Sequence, residues 1–141
     1  MIHHTTEVRV RYADTDQMKF AYYGKFFEYF EQGRSDLLRS IGLPYTEVES
    51  MGYYIPVIEA HAEYRHPARY DDLLLVLTML RDIPVAKFRI DYEVRTQGGQ
   101  EPIATGYTMH TFINARTGRP SRAPAQFLEA IEKHFQQAER T

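Results

Sequence analysis

The sequence predicts an α+β domain in which one long central helix is wrapped by a curved antiparallel sheet of about five strands. Two observations predict it. The hydrophobic period is two near the N-terminus, becomes helical between Tyr23 and Ile41, and returns to strand-like patterning through most of the remainder. The later strand-like segments follow one another through short turns, a connection that antiparallel strands allow and parallel strands do not. At 141 residues the chain is long enough for one core and short for two, so residues 1–141 are read as a single domain.

The elements follow in order. Val8, Val10 and Tyr12 alternate with Glu7, Arg9 and Arg11, as on a half-buried strand. An irregular stretch, Ala13 to Gly24, carries two aspartates. From Tyr23 to Ile41, Phe26, Phe30, Gly33, Leu37 and Ile41 share one helical face, with Phe27, Arg34 and Leu38 beside them. Gly42 and Pro44 end that helix. Tyr54 to Tyr64 and Asp72 to Arg81 read as strands, the second apolar enough for burial on both faces. Lys87 to Arg95 is the cleanest alternation in the chain. Gln97-Gly98-Gly99-Gln100 is a turn, and Ile103 to Ala115 resumes as one long strand. After the loop Thr117–Pro120, a short helix is expected from Pro124 to about Gln137.

Composition narrows the chemistry. With 43% hydrophobic and 26% charged residues the chain reads as globular. There is no Cys, which removes disulfides, thiolate metal sites and a cysteine nucleophile. A formal net charge of −2 leaves no electrostatic footprint for nucleic acid or an anionic membrane. The start of the chain lacks an apolar signal region, and the longest aliphatic run, Leu73 to Leu77, is far short of the ~18 residues of a membrane span. A cytoplasmic protein is expected. Trp is absent, while 11 Tyr and 8 Phe make tyrosine the unusual abundance.

Asp14-Thr15-Asp16 lies between the first strand and the long helix. In extended chain, residues two apart face the same way, and two close carboxylates raise each other's pKa. A carboxylate ahead of a helix start also meets unpaired backbone N–H groups, which can alternatively polarise a substrate carbonyl. Spacing alone equally fits two aspartates that merely cap a turn and the helix. A calcium loop is excluded, because Lys19 and Lys25 stand where that pattern needs Gly and Glu.

Arg11-Tyr12-Ala13-Asp14-Thr15-Asp16-Gln17-Met18, Tyr22-Tyr23-Gly24-Lys25-Phe26 and Phe30-Glu31-Gln32-Gly33-Arg34 resemble the signature of hotdog-fold acyl-CoA thioesterases. The similarity is to the 4-hydroxybenzoyl-CoA thioesterase family, near its branch linked to the bacterial Tol-Pal envelope system. It continues through Ile55-Pro56-Val57, Tyr64 to Asp72, Ala104-Thr105-Gly106 and Thr117 to Pro120. The resemblance implies a helix wrapped by a curved sheet, with the site at a dimer interface. It implies Asp16 as the catalytic carboxylate and the Tyr23 backbone N–H as the oxyanion donor, with no metal or cofactor. Four positions depart from the pattern of the envelope-linked branch: Tyr23 where that branch has His and the 4-hydroxybenzoyl-CoA type has Tyr, Lys19 where Gly is usual, and Lys25-Phe26 where Asn-Tyr is usual.

The expected reaction is hydrolysis of an acyl-CoA thioester by a homodimer or homotetramer. A non-catalytic acyl-CoA-binding module and a hydratase of the same fold are the alternatives. Tyr22 and Tyr54 are candidates for the acyl pocket, with Tyr53 beside them, or for a dimer seam. Arg119 and Arg122, with Arg116, are candidates for the CoA phosphates, or form a solvated basic loop. Glu31 is expected to pair with Arg34, and His61, His66 and His110 are read as structural or surface residues, without metal-ligand spacing.

Overall fold

In the computed structural model, residues 1–140 are described. Strand β1 spans Ile2–Arg9, and a single 3-10 turn, Tyr12–Asp14, follows it. Helix α1, Lys25–Ser40, is followed by the short α2, Tyr45–Ser50. Strands β2 (Tyr53–Tyr54), β3 (Val57–Tyr64), β4 (Leu73–Leu80), β5 (Phe88–Thr96) and β6 (Ala104–His110) come next. The chain closes with β7 (Phe112–Asn114), β8 (Pro120–Ser121) and α3 (Ala125–Arg140).

The main sheet has five antiparallel strands in the order β1-β4-β5-β6-β3. Helix α1 packs against β1, β4 and β3. Since β1 and β3 are the two edges, one helix can touch both only if the sheet curls around it. A flat five-stranded sheet would hold its edges roughly 19 Å apart, wider than a helix with its side chains. The expected hotdog arrangement is what the chain adopts.

The helix sits close to the sheet because two glycines admit it. A Cβ on Gly33 would strike the Thr78 hydroxyl of β4. On Gly106 it would meet the His61 carbonyl and the Phe30 ring. Phe30 instead stacks on Tyr92 of β5, with ring centroids 4.3 Å apart. Of the predicted face, Phe26, Phe30, Gly33 and Leu37 are buried, with Tyr29, Arg34 and Leu38 buried beside them, while Ile41 lies just past the end of the helix.

Several expectations needed correction. The first strand begins at Ile2 and ends at Arg9. Val10 remains buried, but Tyr12 leaves the strand for the 3-10 turn and is exposed. Helix α1 starts at Lys25, after a turn over Tyr22–Gly24. The strand expected from Tyr54 breaks at Ile55–Pro56, where Pro56 has no N–H to donate. The long strand from Ile103 changes sheets at Thr111, so β7 joins β2 and β8 in a separate three-stranded sheet. Helix α2 was not foreseen. Helix α3 equals α1 at 16 residues and buries Phe127, Ile131 and Phe135 at four-residue spacing.

Candidate active site

The stretch between β1 and α1 is held by its own backbone. The Asp14 N–H donates to Arg11 O (2.9 Å) and the Thr15 N–H to Tyr12 O (3.1 Å), closing the 3-10 turn. That turn breaks the two-residue alternation. Asp14 is only 3% exposed, while Asp16 lies at the surface. The two carboxylates therefore do not share a face, and the expected rise of Asp14 does not occur. Burial would push Asp14 up. Hydrogen bonds from the Arg11 N–H, the Tyr29 hydroxyl and the Arg11 guanidinium outweigh it and hold Asp14 below the usual carboxylate range.

Asp16 organises the next turn. Its Oδ1 accepts the Met18 N–H at 2.9 Å and the Phe20 N–H at 3.4 Å. Its backbone N–H donates to Phe20 O and its carbonyl accepts the Lys19 N–H, both at 2.9 Å. Oδ2 takes no hydrogen bond among the described residues. The loop is then fastened to the segment after β3 by Ala21 N–H to Ala68 O (2.7 Å) and by a bridge between Phe20 and Arg69.

At the start of α1, the Tyr22 N–H donates to Asp14 O (2.9 Å) and the Lys25 N–H to Tyr22 O (2.9 Å). Between them, the Tyr23 and Gly24 N–H groups donate to no acceptor among the described residues. The Tyr23 carbonyl accepts the Tyr64 hydroxyl at 3.0 Å. The Tyr64 phenol is pushed up, by burial first and then by the Tyr22 and Tyr23 phenols, so it stays a donor.

Asp16 and Tyr23 line the same cavity, of about 270 Å³. Met18, Phe20 and Phe26 add apolar wall, and Tyr64, Arg65 and His66 come from the end of β3 and beyond. Tyr64 packs on Tyr23 and on the edge of Phe26, with centroids 4.7 and 5.3 Å apart. A carboxylate with a free oxygen can act as nucleophile or base, and unpaired N–H groups at a helix start can hold a developing oxyanion.

The other sequence candidates lie elsewhere within the chain. Tyr22 is 59% exposed and does not line this cavity. Tyr54 lines a separate cavity of about 210 Å³ with Tyr45, Val48 and Tyr53. Arg119 and Arg122 are exposed, around β8. Arg34 stands 3.9 Å from Glu31, as expected, and its buried guanidinium also reaches Tyr45 and Tyr92. Among the described residues no cluster of three or more His, Asp or Glu could hold a metal ion, and no helix is long and apolar enough to cross a membrane. Sequence reasoning did not place Phe20, Phe26, Tyr64, Arg65 and His66 beside Asp16. The run Tyr64 to Pro67 was visible, but its closeness to Asp16 depends on the Ala21–Ala68 bond.

Known proteins share this fold. The chain is 26% identical over 128 residues to the 1,4-dihydroxy-2-naphthoyl-CoA hydrolase of Synechocystis, covering 90% of this chain and 93% of that protein. It superposes on the structure of a DHNA-CoA thioesterase from Staphylococcus aureus with a TM-score of 0.88 at 27% identity, covering 99% of this chain and 95% of the other. The protein TT1821 of Thermus thermophilus gives a TM-score of 0.83 at 32% identity, over 92% of this chain and 95% of that one. The sequence profile of the thioesterase-like superfamily matches residues 10–131, which takes in the Asp16 loop, α1 and the whole sheet after it, and the chain belongs to that superfamily.

Proposed function

We propose that this protein hydrolyses acyl-CoA thioesters to the free acid and CoA. Asp16 either attacks the thioester carbonyl, giving an acyl-enzyme anhydride that water then cleaves, or takes a proton from the attacking water. In both routes the carbonyl oxygen gains negative charge and the CoA thiolate leaves. The Tyr23 N–H and the positive end of α1 stabilise that oxygen. The observation that carries this reading is one cavity lined by both Asp16 and Tyr23, with a free carboxylate oxygen and an unpaired N–H. The Asp-Thr-Asp block favours the 4-hydroxybenzoyl-CoA thioesterase family within the superfamily, near its branch linked to the Tol-Pal envelope system.

The Tyr22 phenol acts on Tyr64 of the cavity wall and can serve the acyl group within one chain. Arg119, Arg122 and Tyr54 line no part of the Asp16 cavity in one chain, so a role for them in binding CoA or the acyl group requires a second copy. The edge strand β3 supports such pairing. Its only sheet neighbour among the described residues is β6, and Val57 and Ile58 on it are 41% and 48% exposed. We therefore read the working unit as a homodimer or homotetramer, acting in the cytoplasm, where acyl-CoA is made and used.

One observation favours a second reading. His66 lines the Asp16 cavity, and a carboxylate beside an imidazole is the pairing that enoyl-CoA hydration uses. Thiol release from acyl-CoAs of acetyl, long-chain and aromatic type decides between them, with water addition to an enoyl-CoA measured in parallel. Turnover with thiol release is expected. Hydration without thiol release, or CoA binding with neither, would overturn the thioesterase reading.

A further inference from the structure

Asp14 is buried more deeply than a turn requires. The 3-10 turn is closed by backbone bonds, and one side-chain bond, from the Arg11 N–H to Asp14 Oδ2 at 3.0 Å, would suffice to cap it. Asp14 does more. Oδ2 also accepts the hydroxyl of Tyr29 at 3.1 Å, 15 residues away on α1. Oδ1 accepts Arg11 Nη2 at 3.3 Å and lies 3.9 Å from Lys25 Nζ, in the first turn of the helix. Its carbonyl accepts the Tyr22 N–H at 2.9 Å.

These contacts span the two halves of the proposed site. Asp14 precedes Asp16 by two residues, and its hydrogen-bond partner Tyr22 immediately precedes Tyr23. Asp14 itself lines a different cavity, with Arg11, Lys25 and Tyr29, so it is placed away from the substrate. We propose that Asp14 is a positioning residue, which fixes the Asp16 carboxylate relative to the Tyr23 N–H by tying the loop to α1. The inference rests on the proposed site at Asp16 and Tyr23. Tyr29 shares the role, since its phenol is the reach from the helix to Asp14. Burial and the Asp14 charge push that phenol well up, so it remains a donor across the working pH range.

The test is a cycle of variants in thiol release, normalised to folded enzyme by circular dichroism. Asp14→Asn should lower kcat about 100-fold with KM within about 3-fold, as expected for a carboxylate misplaced by about an ångström. On an Asp16→Asn background, the same substitution should cost less than about 3-fold, because there is no carboxylate left to place. Tyr29→Phe should show the same pattern at about 10-fold, and it carries the test if Asp14→Asn does not fold. Equal losses in both backgrounds mean a merely structural role and overturn the proposal. So does full kcat in Asp14→Asn beside an inactive Asp16→Asn. Full activity of Asp16→Asn alone is a different failure, that of the site itself.

Discussion

Lys19 holds φ at 65°, in the left-handed region where an L-residue with a Cβ is strained. The turn dictates it: Asp16 accepts three N–H groups, from Met18, Lys19 and Phe20, within five residues. Glycine, which the family resemblance places here, adopts that angle freely. Lys19→Gly is expected to stabilise the fold by about 1 kcal/mol, read as an increase in Tm. His110 makes a second residue-scale prediction. It is fully buried and hydrogen-bonds Thr108 Oγ1 at 2.7 Å. Burial, then the Arg34 guanidinium, lower it from 6.5 to about 4, while backbone around Ile55 and Pro56 opposes only in part. The folded state thus resists protonation that the unfolded state accepts. Stability is full above pH 6.5 and declines as pH falls towards 4, by about 3 kcal/mol if His110 acts alone. Urea melts at pH 7, 5.5 and 4.5 should trace that slope, and His110→Gln should flatten it. The lowered Asp14 carboxyl contributes in a separate window, below its ordinary value near 3.8.

At the scale of elements, the contact of α1 with the sheet turns on Gly33. Gly33→Ala forces a methyl group into the Thr78 hydroxyl and against Val76 Cγ1, and it is expected to cost about 1–3 kcal/mol by overpacking. A denaturation midpoint unchanged from the native protein would show that α1 has room to retreat. The same residue explains why the helix was legible in sequence. Phe26, Phe30, Gly33 and Leu37 mark one face by period alone, and β5 alternates Phe88, Ile90, Tyr92 and Val94 inward. Helix α2 was not legible, because six residues with only Val48 buried set no period. Nor was the break at Thr111, since β6 and β7 are each good strand sequence and only their pairing partners differ. The 3-10 turn was missed for the opposite reason: alternation through Val10 argued for continuing the strand, and the Arg11–Asp14 contacts ended it.

Across the whole molecule, the site combines what is local with what is not. Asp16 and Tyr23 lie within eight residues, and the family resemblance names them as a pair. Tyr64, Arg65 and His66 reach them only because β3 runs along the sheet edge and the segment after it bonds back to Ala21. The same edge predicts assembly. Sedimentation should give twice or four times the chain mass at micromolar concentration, and Ile58→Lys on β3 should shift it towards monomer with loss of kcat. A fully active monomer would show that one chain holds the complete site. Single-turnover thiol release by Asp16→Asn, on the best acyl-CoA found, tests the central claim most directly. The account predicts a rate lower by about 100-fold or more with the fold and CoA affinity retained; a rate within about 3-fold of the native protein would contradict it.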